Sequence, residues 1–403
     1  MAETKIIPEL DPSRDLAVLK TNGSFSGTFT TSSGTVTISY GDGNEETSNT
    51  PSHTFNTKPP YILNIDNESS ISEISISGNN LSMIDVTGFP LLENIDARSN
   101  SLSSRRVEGL LTQIDENGLE NGTIDIRDNP FVADDVTEQT IINLANKGWT
   151  INGLYRPVSS LAWYDSSDTS TITEDSNAVS QWDDKSSNER HLINGTSVQQ
   201  PTTNTRTING LNVLDADGIN QYLFNNTNFE FPDSGNFMLF VIAEVDSSDD
   251  FNDAIWAWED DVDIQLDTAR NNGEMRGRHF VPQTGNDNNL FSTTNVGGVP
   301  NLWSTVLDFD SSENNIYLDG SLGVNSPKTY TTKISTTGTR QFTVMLGGFP
   351  IAFSHLLDGA IGELVLVEGA DSVTRQKIEG YLAHKWGLES NLPISHPYKN
   401  EAP

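Results

Sequence analysis

Three short stretches place apolar residues at relative positions 0, 2 and 7 with asparagine at position 5: Ile74, Ile76, Asn79 and Leu81; Ile95, Ala97, Asn100 and Leu102; Ile124, Ile126, Asn129 and Phe131. They follow one another at separations of 21 and 29 residues. The 0, 2 alternation is that of a strand with one buried face. Between the second and third stretches, Val107, Leu110, Leu111 and Ile114 fall at helical spacing and stop at Gly118. After the third, Asp135 and Glu138 form a capping box for a helix running through Ile141 and Leu144 to Gly148. Each unit is a strand plus a return element, and such a unit buries its apolar face only by stacking on its neighbours. Three unrelated β-turns are the alternative, but they leave the asparagine register unexplained.

This pattern, over residues 66–155, resembles leucine-rich repeats. The resemblance implies that each apolar pair faces the core from a short strand, and that each asparagine bonds backbone amides at the bend that follows. Three repeats are barely enough for a continuous core, so the segment is expected to lean on its neighbours or on another chain. In residues 1–65, Phe25, Phe29, Val36, Ile38 and Tyr40 alternate with small polar residues. The run Val36 to Tyr40, the Gly41-Asp42-Gly43 turn and the closing His53-Thr54-Phe55 resemble a PKD-type β-sandwich, without that family's aromatic-Asp-Phe part. Pro8, Pro12 and the polar residues around them read as an extended arm for a neighbouring subunit.

Residues 156–403 carry a longer signature. Leu161-Ala-Trp-Tyr-Asp165 is followed by Gln181-Trp-Asp-Asp-Lys185, then by Ile208-Asn-Gly-Leu211, and at the far end by Gly359 to Val367, Gln376 to Leu388 and Leu392 to Tyr398. These blocks, in this order, resemble laminin-G-like, concanavalin-A-like jelly rolls of marine bacterial surface proteins and phage structural proteins. Asn209-Gly210 suits a type I′ hairpin, and the apolar runs 237–243 and 361–367 read as central strands buried on both faces. A last helix is expected to carry Val373, Ile378, Tyr381, Leu382 and Trp386 on one stripe, to stop at Gly387 and to pack on the sandwich. The fold class expected is mainly β: a small N-terminal β-sandwich, a short leucine-rich-repeat-like α/β segment and a C-terminal jelly-roll β-sandwich. Trp163, Trp182 and Trp386 read as core, and Asp183, Asp184 and Asn188 as ties for the turn after Trp182.

The charge narrows the partners. With 23 basic and 56 acidic residues among 403, the net charge is −33 and there is no cysteine. Such a chain repels phosphate backbones and anionic lipid, so neither nucleic acid nor membrane insertion is expected. Disulfides, zinc–thiolate sites, iron–sulfur clusters and thiol nucleophiles are excluded outright. The many Ser, Thr, Asn and Gly suit turn-rich sheets, and 7 Trp, 17 Phe and 9 Tyr argue against disorder. The first residues carry no apolar run of signal-peptide length, although the composition looks extracellular. A virion protein released by lysis satisfies both observations, and the sequons at Asn121, Asn194 and Asn225 then read as turns.

Catalytic motifs are missing: no His-Glu-x-x-His, Gly-x-Ser-x-Gly or phosphate-binding loop occurs, and no Glu-x-Asp-x-x-Glu of the jelly-roll glucanases. The expectation is a non-enzyme. Calcium, the one cofactor considered, has two candidate clusters: Asp246, Asp249 and Asp250, and Glu259, Asp260, Asp261 and Asp263, each of which reads equally as a solvated acidic loop. For carbohydrate, Trp256 and Trp258 share a strand face, with Arg276, Arg278 and His279 as hydrogen-bonding neighbours; a core or subunit interface is the competing reading of the tryptophan pair.

These readings combine into a non-enzymatic bacteriophage virion surface protein, a head decoration or tail-associated adhesin, docked through its N-terminal sandwich and repeat segment and presenting an outward carbohydrate- or protein-binding jelly roll. Capsid or tail proteins of the same particle, further copies of the chain and host-surface glycans are its expected partners. The absence of long heptads favours the head over a fibre shaft. A bacterial cell-surface lectin or adhesin is the alternative, followed by a glycoside hydrolase acting through Asp261 or Asp263.

Overall fold

The computed structural model describes residues 15–19, 23–56, 60–130, 136–157, 160–225, 236–246, 253–259, 265–271, 274–281, 286–308, 310–324, 326–329, 341–347 and 355–403. The protein is mainly β, with three α-helices among the described residues, none long and apolar enough to cross a membrane. It divides into two compact units, Met1–Tyr155 with Pro403, and Arg156–Ala402.

In the N-terminal unit, the repeat strands Ile71–Ser75, Asn94–Asp96, Thr123–Asp125 and Thr150–Asn152 form a parallel ladder with Ile74, Ile95, Ile124 and Ile151 in one register row. The antiparallel strand Thr28–Thr31 pairs with the first of them and extends the sheet on that side. A second five-stranded sheet mixes Asp15–Leu19, Thr37–Ser39, Glu45–Thr47, Tyr61–Asp66 and Leu81–Ile84. Both sheets therefore draw strands from either side of residue 66. Beyond the repeat strands run helices α1 (Ser104–Asn117) and α2 (Glu138–Asn146). Helix α1 buries Val107, Leu110, Leu111 and Ile114 and ends at Gly118, whose φ of 74° suits a residue without Cβ. Helix α2 is capped at Thr137 with no side-chain cap bond, in place of the expected box; Asp135 lies outside the described residues. Lys147 ties the two helices through its 2.6 Å contact to Asp115.

The repeat asparagines bridge turns of the ladder. Asn100 Nδ2 donates to the carbonyls of Ile76, Ala97 and Arg98, and its Oδ1 accepts from the amides of Asn79 and Leu81. Asn129 does the same for Ala97, Ile126, Arg127 and Leu102, and Asn79 exchanges two bonds with the backbone of Ser26, at the end of the short strand Ser24–Ser26. The amides served belong to the previous repeat rather than to the bend that follows, so each asparagine fastens two layers.

In the C-terminal unit, an eight-stranded and a nine-stranded sheet enclose one core. Phe237–Val245 and Asp358–Glu368 are adjacent central strands, buried along nearly their whole length. Trp303 and Leu364 from one sheet meet Trp182, Trp256, Trp258 and Phe342 from the other. Asn209 and Gly210, at φ 49° and 85°, turn the hairpin between Thr207–Ile208 and Leu211–Asn212. Helix α3 (Ser372–Lys385) buries Ile378, Tyr381 and Leu382, with Trp386 just beyond its end, but Val373 is 60% exposed: it sits in the first turn, short of the sheet. Asp184 accepts the amides of Trp163, Ser186 and Arg190, and Asn188 donates to the Leu161 carbonyl, which is how the turn after Trp182 is held. Asn194 and Asn225 are 2% exposed and spend their amides on backbone carbonyls.

Burial pushes Asp319 up to about 6, with Glu379 adding to the rise and the Leu302 amide opposing it. A raised carboxyl stabilises the fold below its unfolded value of 3.8, and that contribution is lost as pH rises through about 6. Chemical denaturation of the C-terminal unit between these values should show falling stability, flattened in Asp319→Asn.

Candidate functional site

The outward face of the repeat sheet is polar in rows. Glu73, Asn94, Thr123 and Thr150 align in one, and Ser75, Asp96, Asp125 and Asn152 in the next. This follows from period-2 alternation: with the isoleucines inward, their neighbours point out. With Thr28 and Thr30 from the flanking strand and Arg98 from the bend, all of these except Thr150 line an open groove of about 330 Å³.

Ion pairs organise the groove. Arg98 donates from Nε and Nη2 to the two oxygens of Asp96 at 2.9 and 3.0 Å, and Arg127 does so to Asp125 at 2.9 and 2.6 Å. Arg98 Nε also lies 3.5 Å from Asp125 Oδ2. Glu73 accepts from Thr30 Oγ1 at 2.8 Å and from Asn94 at 3.3 Å. Hydrogen bonding from Arg98, against the opposing effect of burial, holds the Asp96 carboxyl below its usual range, and His53 and Lys147 do likewise for Asp42 and Asp115. Each depressed carboxyl contributes stability above its unfolded value near 3.8, lost as pH falls through the lower folded value. Acid titration followed by circular dichroism should therefore weaken the N-terminal unit below that pH, and Arg98→Ala should return the Asp96 pKa, read by NMR, toward the ordinary value.

The structure takes the tryptophan pair out of the carbohydrate site expected on the C-terminal unit and bears out the core reading of that pair. Trp256 and Trp258 are 1% and 0% exposed, facing the core, where Trp256 stacks on Phe342 at 5.9 Å. Their strand is flanked on both edges, and residues 254–258 are all buried, so no indole face meets solvent. Arg276 is 4% exposed; Arg278 and His279 lie on the same strand, Glu274–Val281, with side chains outside the described residues. Of the calcium candidates, Asp246 is held by Arg206, which also pairs with Asp215 and Glu244, so a guanidinium already supplies its positive charge. Glu259 ends its strand with its side chain undescribed, and Asp249, Asp250, Asp260, Asp261 and Asp263 lie outside the described residues. Among the described residues no group of three or more acids and histidines is arranged to hold a metal.

A second cluster is enclosed in the C-terminal unit. Glu363, 0% exposed, accepts from Trp163 Nε1 at 2.8 Å, Tyr381 Oη at 2.9 Å, Trp386 Nε1 at 2.8 Å and Lys385 Nζ at 2.8 Å. Lys385 also meets Asp165 Oδ2 at 2.7 Å, and Lys185 bridges Asp165 and Asp168 at 3.3 and 2.8 Å. All these residues have most of their side-chain surface withdrawn from solvent, Asp168 the least at 35% exposed. Sequence reasoning placed several of them in the jelly-roll blocks without joining them, because the partners lie about 200 residues apart. It also passed over the groove, although Asp-x-Arg recurs at 96–98 and 125–127 with the spacing of the isoleucines.

No protein-family model matches the chain, and no curated protein sequence does. Among solved structures, similarity is found to the NanB sialidase of Streptococcus pneumoniae (13% identity, 37% of this chain and 27% of that one, TM-score 0.30). It is found also to Trypanosoma rangeli sialidase (10% identity, 55% and 32%, TM-score 0.39) and to the CBM40 of Ruminococcus gnavus IT-sialidase bound to α2,3-sialyllactose (12%, 35% and 80%, TM-score 0.31). The chain thus spans about a third or less of the two sialidase chains.

Proposed function

We propose that the protein is a non-enzymatic adhesive module on the outer surface of a bacteriophage particle, and that the groove on its repeat sheet holds a neutral or amine-bearing carbohydrate. The observation that carries this reading is the groove lining: hydroxyl, amide, carboxylate and guanidinium groups in aligned rows, with Arg98 and Arg127 locking their carboxylates in place. Planar groups fixed in this way pair with adjacent sugar hydroxyls, and the volume is that of a small-ligand site. Glu73, Asp96 and Asp125 against Arg98 leave the lining net negative, which disfavours carboxylated sugars. The surface location rests on the charge of −33 and the absence of cysteine, which suit a coat that folds in a reducing cytoplasm and does not stick to nucleic acid.

Two measurements test the two halves. A glycan array probed with the full chain should label neutral or amino sugars and leave sialylated ones unlabelled; a sialylated preference would overturn the ligand class. Antibodies to the chain should label intact virions at head or tail, and unlabelled virions would overturn the location.

A further inference from the structure

We infer that Lys385 and Asp165 become joined by an intramolecular amide bond, formed once per chain within the folded C-terminal unit with Glu363 as proton carrier. The geometry is that of reactants held for attack. Lys385 Nζ lies 2.7 Å from Asp165 Oδ2, one bond from the carbon it would attack, and holding the two groups in contact removes the entropy cost of bringing them together. The side chains of Asp165, Glu363 and Lys385 are 1%, 0% and 12% exposed, and Trp163, Tyr381 and Trp386 surround them. Water is thereby kept from competing with the amine and from hydrolysing the product. Glu363 Oε2, 2.8 Å from Nζ, is the acceptor the amine needs. Lys185, 3.3 Å from Asp165 Oδ2, is a cation beside the oxygen on which negative charge builds.

The step balances without a co-reactant. One ammonium proton passes from Nζ to Glu363, and the freed lone pair forms the Nζ–Cγ bond. A second Nζ proton then leaves, and both protons depart with one carboxyl oxygen of Asp165 as water when the Cγ–O bond breaks. Glu363 and Lys185 end as they began. Lys385 is the nucleophile rather than Lys185 because its contact to Asp165 is shorter and it alone touches Glu363. The bond would tie the short strand Ala162–Asp165 to helix α3 across 220 residues, a cross-link in a chain that has no cysteine to make one.

Intact mass spectrometry of the denatured full-length chain tests this directly. The expected mass is one water below that of the sequence, with a proteolytic fragment joining the peptides of Asp165 and Lys385. Glu363→Gln, checked for folding by near-ultraviolet circular dichroism, should retain the full mass. Asp165→Asn should lose one ammonia in place of water, since the same carbon is attacked. A folded wild-type chain at full mass overturns the inference whatever the variants do. So does a water lost within a single linear peptide, as ring closure at Asp217-Gly218 would produce. Glycan binding is read separately, so failure here leaves the groove untouched.

Discussion

Asn100→Ala is expected to unfold the N-terminal unit at temperatures where the C-terminal unit stays folded. The side chain is 6% exposed and makes five hydrogen bonds to backbone groups of two successive repeats. Alanine removes all five and admits no solvent to replace them. The carbonyls of Ile76, Ala97 and Arg98 keep donors in Asn79, Asn129 and the Gly78 amide, but the amides of Asn79 and Leu81 lose their acceptor; at about 1–3 kcal/mol for each, the loss of about 2–6 kcal/mol reaches into the roughly 5–15 kcal/mol that holds a whole domain together. Because the layers stack on nearest neighbours, the break falls in the middle of the ladder and neither half can close over it. Hydrogen exchange resolved by peptide should show protection lost across the repeat strands and kept on Phe237–Val245 and Asp358–Glu368. Protection of the repeat strands at the wild-type level would contradict the bridging role of the asparagine.

Trp256→Ala should lower the stability of the C-terminal unit by about 3–5 kcal/mol, the range for truncating a fully buried large aromatic. The indole packs against Phe342 in the core shared by the two sheets, and the cavity left has strands on every side. In a unit of this size such a loss lowers the melting temperature by roughly 2–4 °C per kcal/mol. Carbohydrate binding should be unchanged, since the groove belongs to the other unit. A variant of unaltered stability that lost sugar binding would restore the exposed-platform reading of this pair.

How much of this was legible beforehand depended on whether a feature announces itself locally. The repeat strands did, because Ile74, Ile95 and Ile124 recur with an asparagine five residues on. The fourth strand did not: Thr150–Asn152 has its isoleucine but no asparagine in that register, and Gly153 follows directly. Alternation placed Trp256 and Trp258 on one face, but no local rule says whether that face looks to the core or to solvent. The answer came from what covers it: strands pair on both edges and the opposite sheet packs on its inner side. The ion cluster around Glu363 was hidden for a further reason. Its members read singly as solvated charges in a strongly acidic chain, and only the fold brings Lys185 and Lys385 to Asp165 and joins Lys385 to Glu363. The groove lay between these cases, since its inward isoleucines were recognised while the outward Asp-x-Arg recurrence beside them was not read as a site.

The central claim is that the outward rows of the repeat sheet are a carbohydrate site. Titration calorimetry of the full chain against the best neutral or amino-sugar oligosaccharide from the array, comparing wild type with the double variant Asp96→Asn, Arg98→Ala, tests it most directly. Loss of two good hydrogen-bonding groups should weaken binding by at least about tenfold, the equivalent of about 1.4 kcal/mol, while the melting temperature of the C-terminal unit stays fixed. Equal affinity in the two proteins would contradict the account and move the search for a ligand site to another surface.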